Sequence, residues 1–322
     1  MSGNVMMSIS AKSIRPGQIP FSLYTRDTED RMILFCRKGM PITDQHLNTL
    51  RNSGRVFYIV SSEMDQYLDY TFDRLEGIVN SKHVPVQEKS RLLTDIGKRV
   101  VDDLLDNPRS GKAINNSKRY LKSMINLLLV SPEASLLLIN MSTSESYLLS
   151  HSIGTCVFVL MLGMKLLSRD KEALHNLGLA GLLIDVGMTR ISKSILYKAG
   201  PLSDTEWAEM RVHSMFGYEI LKSHNLPKDV LKAVLQHHER MDGSGYPDSL
   251  KGDEIHRFAQ ILMVADVYDA LTTDRPHRKA MDHIEALKLM SKSGTKWKAD
   301  VFNTLLNIVV KNEQLIEKLS LK

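Results

Sequence analysis

Three observations in this 322-residue sequence predict a mainly α protein, a helical bundle with a small α+β domain at its N-terminus. Apolar residues recur at helical spacing from about residue 62 onward. The two clearest β-like runs, Met32-Ile33-Leu34-Phe35-Cys36 and Val56-Phe57-Tyr58-Ile59-Val60, both precede that point. The helical pattern then breaks once, over residues 240 to 255, where glycines and Pro247 cannot sustain a helix. Hydrophobic residues make up 43% of the chain, enough for a sizeable core, and the length fits about two domains.

The elements follow in order. Residues 1–65 read as the α+β domain, with one helix opening at Thr43 or Asp44 between the strand-like runs. Residues 66–135 read as connecting helices. Ser62 is a plausible N-cap for the first, and two more are expected at 85 to 106 and 113 to 130, parted by the turn signal Asn107-Pro108-Arg109-Ser110-Gly111. Residues 136–322 read as the main helical domain. Within it Ser203-Asp204-Thr205-Glu206 is a capping box, and Val301 to Leu319 forms an amphipathic closing helix.

Composition narrows the function. The start, MSGNVMMSISAKSIRPG, lacks an apolar core for a leader, and the longest apolar stretch, Cys156 to Met164, is short of the roughly 20 residues that cross a bilayer. A cytoplasmic protein without a membrane partner is expected. Its two cysteines, Cys36 and Cys156, fit neither a disulfide framework nor a zinc motif and read as small buried hydrophobes. The 42 lysines and arginines are scattered among 37 acids, which argues against nucleic acid and favours a small phosphate-bearing ligand bound by a few local cations.

The chemistry concentrates in a series of helix-borne residues: His151, Asp185, His213, the adjacent His237 and His238, and Asp266. Each lies among apolar residues at helical spacing, where an imidazole or carboxylate needs a partner to offset several kcal/mol of desolvation. Metal ligation is one such partner; a local hydrogen bond is the other. Adjacent histidines diverge by about 100° on a continuous helix, so the pair serves one metal cluster only if other helices complete it.

The run HHERMDGSGYP from His237 to Pro247, followed by ILMVADVYDALTTDRP and preceded by GLLIDVG, ILYKAGPLSDTEW and HSMFGYEIL, resembles the HD-GYP family over roughly residues 140 to 290. These are HD-type helical, metal-dependent phosphohydrolases that act on cyclic di-GMP. The resemblance implies metal ligation by His151, Asp185, His213, His237, His238 and Asp266. Asp185 would be the bridging carboxylate, with His213, His237 and His238 at one metal and His151 and Asp266 at a second, poorer one. Two metals are implied, iron first and manganese next, as ligation by imidazole and carboxylate without thiolate permits. They would lower the pKa of a shared water and stabilise the charge added at phosphorus.

The resemblance also places Lys198, Tyr246, Arg275, Arg278 and His277 beside the substrate, with Asp185 and Tyr246 in catalytic roles. Arg275 and Arg278 equally suit the C-terminus of the helix ending near Thr273, and Tyr246 equally suits anchoring its loop. Three departures weaken the enzyme. The family's His-Asp signature reads Ile184-Asp185, its lysine reads Met188, and a tyrosine reads His277. A third-metal carboxylate is replaced by Tyr147, with Glu145 on another helical face. Slow hydrolysis, a cyclic di-GMP receptor, and a scaffold for a signalling partner such as a diguanylate cyclase are the readings carried forward.

Overall fold

The structure, a computed structural model, describes residues 5–9, 13–52, 54–141, 147–168, 170–274 and 278–320. Strands β1 (Met6–Ile9), β6 (Phe57–Val60), β3 (Leu23–Arg26) and β4 (Met32–Cys36) form an antiparallel sheet in that order, beside a small pair, β2 (Gly17–Gln18) and β5 (Pro41–Ile42). Helix α1 (Asp44–Asn52) joins β5 to β6. Cys36 sits half-buried on the edge strand β4, where the sheet covers one side only, so it is not the buried hydrophobe expected.

The next helix, α2 (Met64–Asn80), is not capped by Ser62. Residues Ser61–Glu63 make a 3-10 turn, and the Glu63 carboxylate instead accepts from the Ser22 backbone N–H at 2.8 Å, tying the turn to the sheet domain. Tyr67 and Tyr70 of α2 pack edge-on against Phe21 at 5.5 and 5.4 Å, so the helix buries its aromatic face in the N-terminal core. Helices α3 (Val86–Asp106) and α4 (Gly111–Val130) follow close to the expected bounds, with Ser110 capping α4 through Ala113 N–H.

After α5 (Ala134–Met141), the bundle is built around α6 (Tyr147–Leu166), which packs against α7 (Lys171–Leu183) and α12 (Arg257–Thr272). Every residue of α6 from Leu148 to Gly163 is buried. By length and composition this helix could cross a membrane, which corrects the expectation drawn from its shorter apolar stretch; 89% of its most apolar window is buried inside the protein. Around it lie α8 (Lys193–Leu196), α9 (Asp204–Arg211), α10 (His213–Leu221), α11 (Lys228–Gln236), α13 (His283–Ser291) and α14 (Ala299–Ser320). Ser203 closes the expected capping box with Glu206. The loop expected over 240 to 255 runs from 237 to 256, with one 3-10 turn at Gly252–Glu254. One continuous cluster of buried apolar side chains runs from Ile9 to Val309.

Candidate metal centre

Five segments end at one point in the bundle. His151 projects from α6, Asp185 from the turn after α7, His213 from the first position of α10, and Asp266 from the middle of α12. His237 closes α11, and the chain leaves the helix at His238. Departure from the helix cancels the divergence expected of neighbours, and the two rings lie 4.0 Å apart.

Ligand nitrogens of His213, His237 and His238 lie within 4.8 Å of one another. His213 Nδ1–H donates to Met210 O at 2.7 Å and His237 Nδ1–H to Val234 O at 2.6 Å; a carbonyl can only accept, so both protons are assigned. In the neutral rings, both Nε2 atoms are then bare acceptors, yet they face each other at 3.2 Å, with His238 Nε2 3.1 Å from His213 Nε2. A single proton shared from His238 leaves one of these lone pairs unmatched. A cation satisfies all three, so the residues fit a metal. Burial pushes the His237 imidazole down to about 4, aided by His213, and pushes His238 well below its usual range, so both stay neutral and ready to ligate.

The Asp185 carboxylate, 4% exposed, faces both halves of the site: Oδ1 lies 3.7 Å from His213 Nε2 and Oδ2 lies 3.6 Å from His151 Nε2. Asp266 spans the same gap, with Oδ1 3.0 Å from His151 Nε2 and Oδ2 3.9 Å from His238 Nδ1. Burial alone would raise the Asp266 carboxyl, but the His151 hydrogen bond and the histidines around it hold it far below the usual carboxylate range. The structure therefore brings together all six residues expected as ligands. Ile184, at the position where the resemblance expects another histidine, is fully buried in the core.

Two functional residues escaped the sequence reading. Asp269 accepts from His151 Nδ1 at 2.6 Å inside the bundle, so His151 is gripped at both nitrogens. Burial pulls the His151 imidazole down, but its two carboxylate partners win and raise it to about 10. The available signal was the three-residue spacing of Asp266 and Asp269, which puts both on one helical face. Glu239, fully buried, accepts from the backbone N–H of Asp248 at 2.8 Å and of Leu250 at 3.0 Å, clamping the 240–255 loop to the cluster. Only its place beside the two histidines marked it.

That loop carries Tyr246 over the histidines. A side chain at position 245 would collide with the backbone of Glu239 and Arg240, so only glycine lets the loop lie this close. The Tyr246 ring stacks on His238 at 4.7 Å, and its phenol is pushed up chiefly by burial. The Tyr246-Pro247 peptide is cis.

A cavity of about 830 Å³ opens above the cluster, reaching Met188, Lys198, Trp207, Arg240, Tyr246 and Arg278. The Lys198 ammonium pairs with Glu206 at 2.6 Å. Arg278 donates to the carbonyls of Ala270 and Leu271 at the end of α12, the capping arrangement that the sequence left open. Arg275, His277 and Glu145 lie outside the described residues. Tyr147 stacks on His151 at 5.2 Å.

Residues 137–301 match the HD domain family. A cyclic di-GMP phosphodiesterase of Pseudomonas aeruginosa is 32% identical over 232 residues, 70% of this chain and 56% of that protein. A 3′3′-cGAMP-specific phosphodiesterase of Vibrio cholerae is 34% identical over 147 residues, 46% of this chain and 32% of its own. A cyclic di-GMP phosphodiesterase response regulator of Xanthomonas campestris is 42% identical over 116 residues, 35% of this chain and 31% of its own. The chain thus matches 56% of the first relative's length and about a third of the other two. Among solved structures, an HDG"Y"P protein from Bdellovibrio bacteriovorus shares the fold, with a TM-score of 0.69 at 21% identity, covering 95% of this chain and 99% of that one.

Proposed function

Because this chain belongs to the HD domain family, as a member of its HD-GYP branch, we propose that it is a metal-dependent phosphodiesterase acting on a cyclic dinucleotide, cyclic di-GMP first. The observation that carries the reading is the cluster of ligand nitrogens of His213, His237 and His238, one proton short of satisfying its lone pairs, with the cavity-lining Asp185 carboxylate 3.7 Å from His213 Nε2. In this reading those four residues would hold one cation, and His151, Asp266 and Asp185 would hold another, with iron ahead of manganese. When bound, such a pair supplies Lewis-acid polarisation of the phosphate and a more acidic water.

The chain's own residues do the rest. Met210 O and Val234 O fix the tautomers of His213 and His237, so each presents Nε2 to the cavity. Asp269 holds His151 by Nδ1 and so orients its Nε2 toward Asp185 and Asp266. Tyr246, held by the Glu239 clamp, covers His238 and limits water on that side, while its neutral phenol is a donor to a phosphate oxygen. Residues 136–322 would form the catalytic unit, 66–135 the connector, and 1–65 a module through which a signal or a protein partner acts.

One observation favours a second reading, a slow or non-hydrolysing cyclic di-GMP receptor. Met188 faces the cavity where the resemblance expects lysine, and it can neither donate a proton nor neutralise a leaving oxygen. The experiment is metal analysis of anaerobically purified protein alongside hydrolysis of cyclic di-GMP with ferrous or manganous ion. Two metals with turnover lost in Asp185→Ala would support the enzyme. Two metals with nucleotide retained and no turnover would move the reading to the receptor, and no bound metal would sink both.

A further inference from the structure

The cavity has an electrostatic imbalance. Among the described residues three lysine or arginine side chains line it, and all have partners: Lys198 in Glu206, Arg278 in helix carbonyls, and Arg240 in the carbonyls of His237 and Glu239 while its guanidinium lies 5.3 Å from the Trp297 ring centroid. Met188 adds no charge. A doubly anionic dinucleotide with one phosphate at the histidine cluster calls for a cation at the other phosphate, and for something to hold a base in a cavity whose described walls are mostly apolar.

Helix α9 offers both on one face. Trp207 and Arg211 are four residues apart, so their side chains neighbour each other. Trp207 is 47% exposed, an unusual state for an indole in a protein whose other tryptophan, Trp297, is 7% exposed with Nε1–H bonded to Met290 O at 2.9 Å. It lines both the main cavity and a smaller groove that also contains Asp204 and Arg211. Arg211 is exposed and its guanidinium lies 5.8 Å from the centroid of the Tyr246 ring, which itself stacks on His238. Asp204 in the same groove partly offsets Arg211, so the groove suits one anionic group rather than a polyanion.

The geometry points to Trp207 and Arg211 as the subsite for the half of the substrate away from the metal cluster: the indole stacks a purine base and the guanidinium neutralises the non-scissile phosphate. Indole faces accept any base, and a guanidinium fork matches two phosphate oxygens. The inference rests on the phosphodiesterase reading for its substrate, and Arg211 would take over part of the charge role absent at Met188.

Two measurements test it in the full-length protein. In the first, GMP titrated into wild type quenches tryptophan emission, because stacking on the exposed indole quenches it; Trp207→Leu, which leaves only buried Trp297, removes the response. In the second, kcat/KM for cyclic di-GMP is divided by that for bis(p-nitrophenyl) phosphate, a diester without a purine. The ratio falls roughly tenfold in Trp207→Leu and in Arg211→Gln, the scale of losing one stacked base or one charged contact. Trp207→Phe and Arg211→Lys recover most of it. Quenching that persists in Trp207→Leu, or a ratio that stays constant while both activities fall together, overturns the subsite. If metal-loaded protein hydrolyses neither diester, the phosphodiesterase reading falls, and the fluorescence arm alone decides whether Trp207 holds a purine.

Discussion

His151 is buried at 2% exposure with a carboxylate at each ring nitrogen, and the room for one of them comes from a glycine. A methyl group at position 154 would overlap the Asp269 carboxylate. Gly154→Ala should therefore displace Asp269 and cost about 1–3 kcal/mol of stability by overpacking, read from denaturant midpoints. Asp269→Asn keeps the shape but weakens the grip on Nδ1. It should lower affinity for the proposed second cation by roughly 10- to 100-fold in calorimetric titration, leaving the proposed first site, at His213, His237 and His238, little changed.

Protonation at these residues has a definite sign. The folded His237 imidazole is depressed to about 4 from 6.5, so its contribution is intact above about 6.5 and is lost as pH falls toward 4, because the unfolded chain binds the proton first. His238 shifts the same way. His151, raised to about 10, contributes fully below 6.5 and loses that contribution as pH rises through 10. Chelated protein should thus have its highest Tm near neutrality, with a fall on both sides between pH 5 and pH 10. A Tm that climbs steadily toward pH 5 would mean the histidines are not held neutral.

At the level of elements, the loop of residues 237 to 256 depends on one buried carboxylate. Glu239→Ala removes the acceptor for Asp248 and Leu250 N–H, each left unsatisfied at roughly 1–3 kcal/mol. Faster hydrogen exchange across 242–251, with metal content retained, is the expected result; protection equal to wild type would show that the glycines and Tyr246 suffice. Helix α6 teaches a different lesson. Its apolar run is interrupted by Ser150, His151, Ser152 and Thr155, so composition underestimated a 20-residue span that the bundle buries from Leu148 to Gly163.

Across the whole molecule, the proposed cations would cross-brace α6, α10, α11, α12 and the turn after α7, none of which is joined to another by a disulfide. A ligand that binds only the folded state at a thousandfold excess over its Kd adds about 4 kcal/mol. Manganous ion should raise the Tm of chelated protein in a saturable way, and His213→Ala should abolish most of that shift.

Periodicity, turn residues and a long motif in order were enough to define a mainly α bundle, its loop and the six converging ligand candidates, because these features are written in local spacing and in the identity of residues that buried apolar helices rarely carry. Which nitrogen of each histidine is free, that Asp269 and Glu239 are structural partners of the site, that Arg278 serves a helix end, and that Trp207 stands uncovered at the cavity were decided by the tertiary structure. Each depends on what lies within a few ångströms across elements far apart in the chain. Hydrogen bonding and burial act over those distances, and a one-dimensional pattern carries them only when both partners share a helix face.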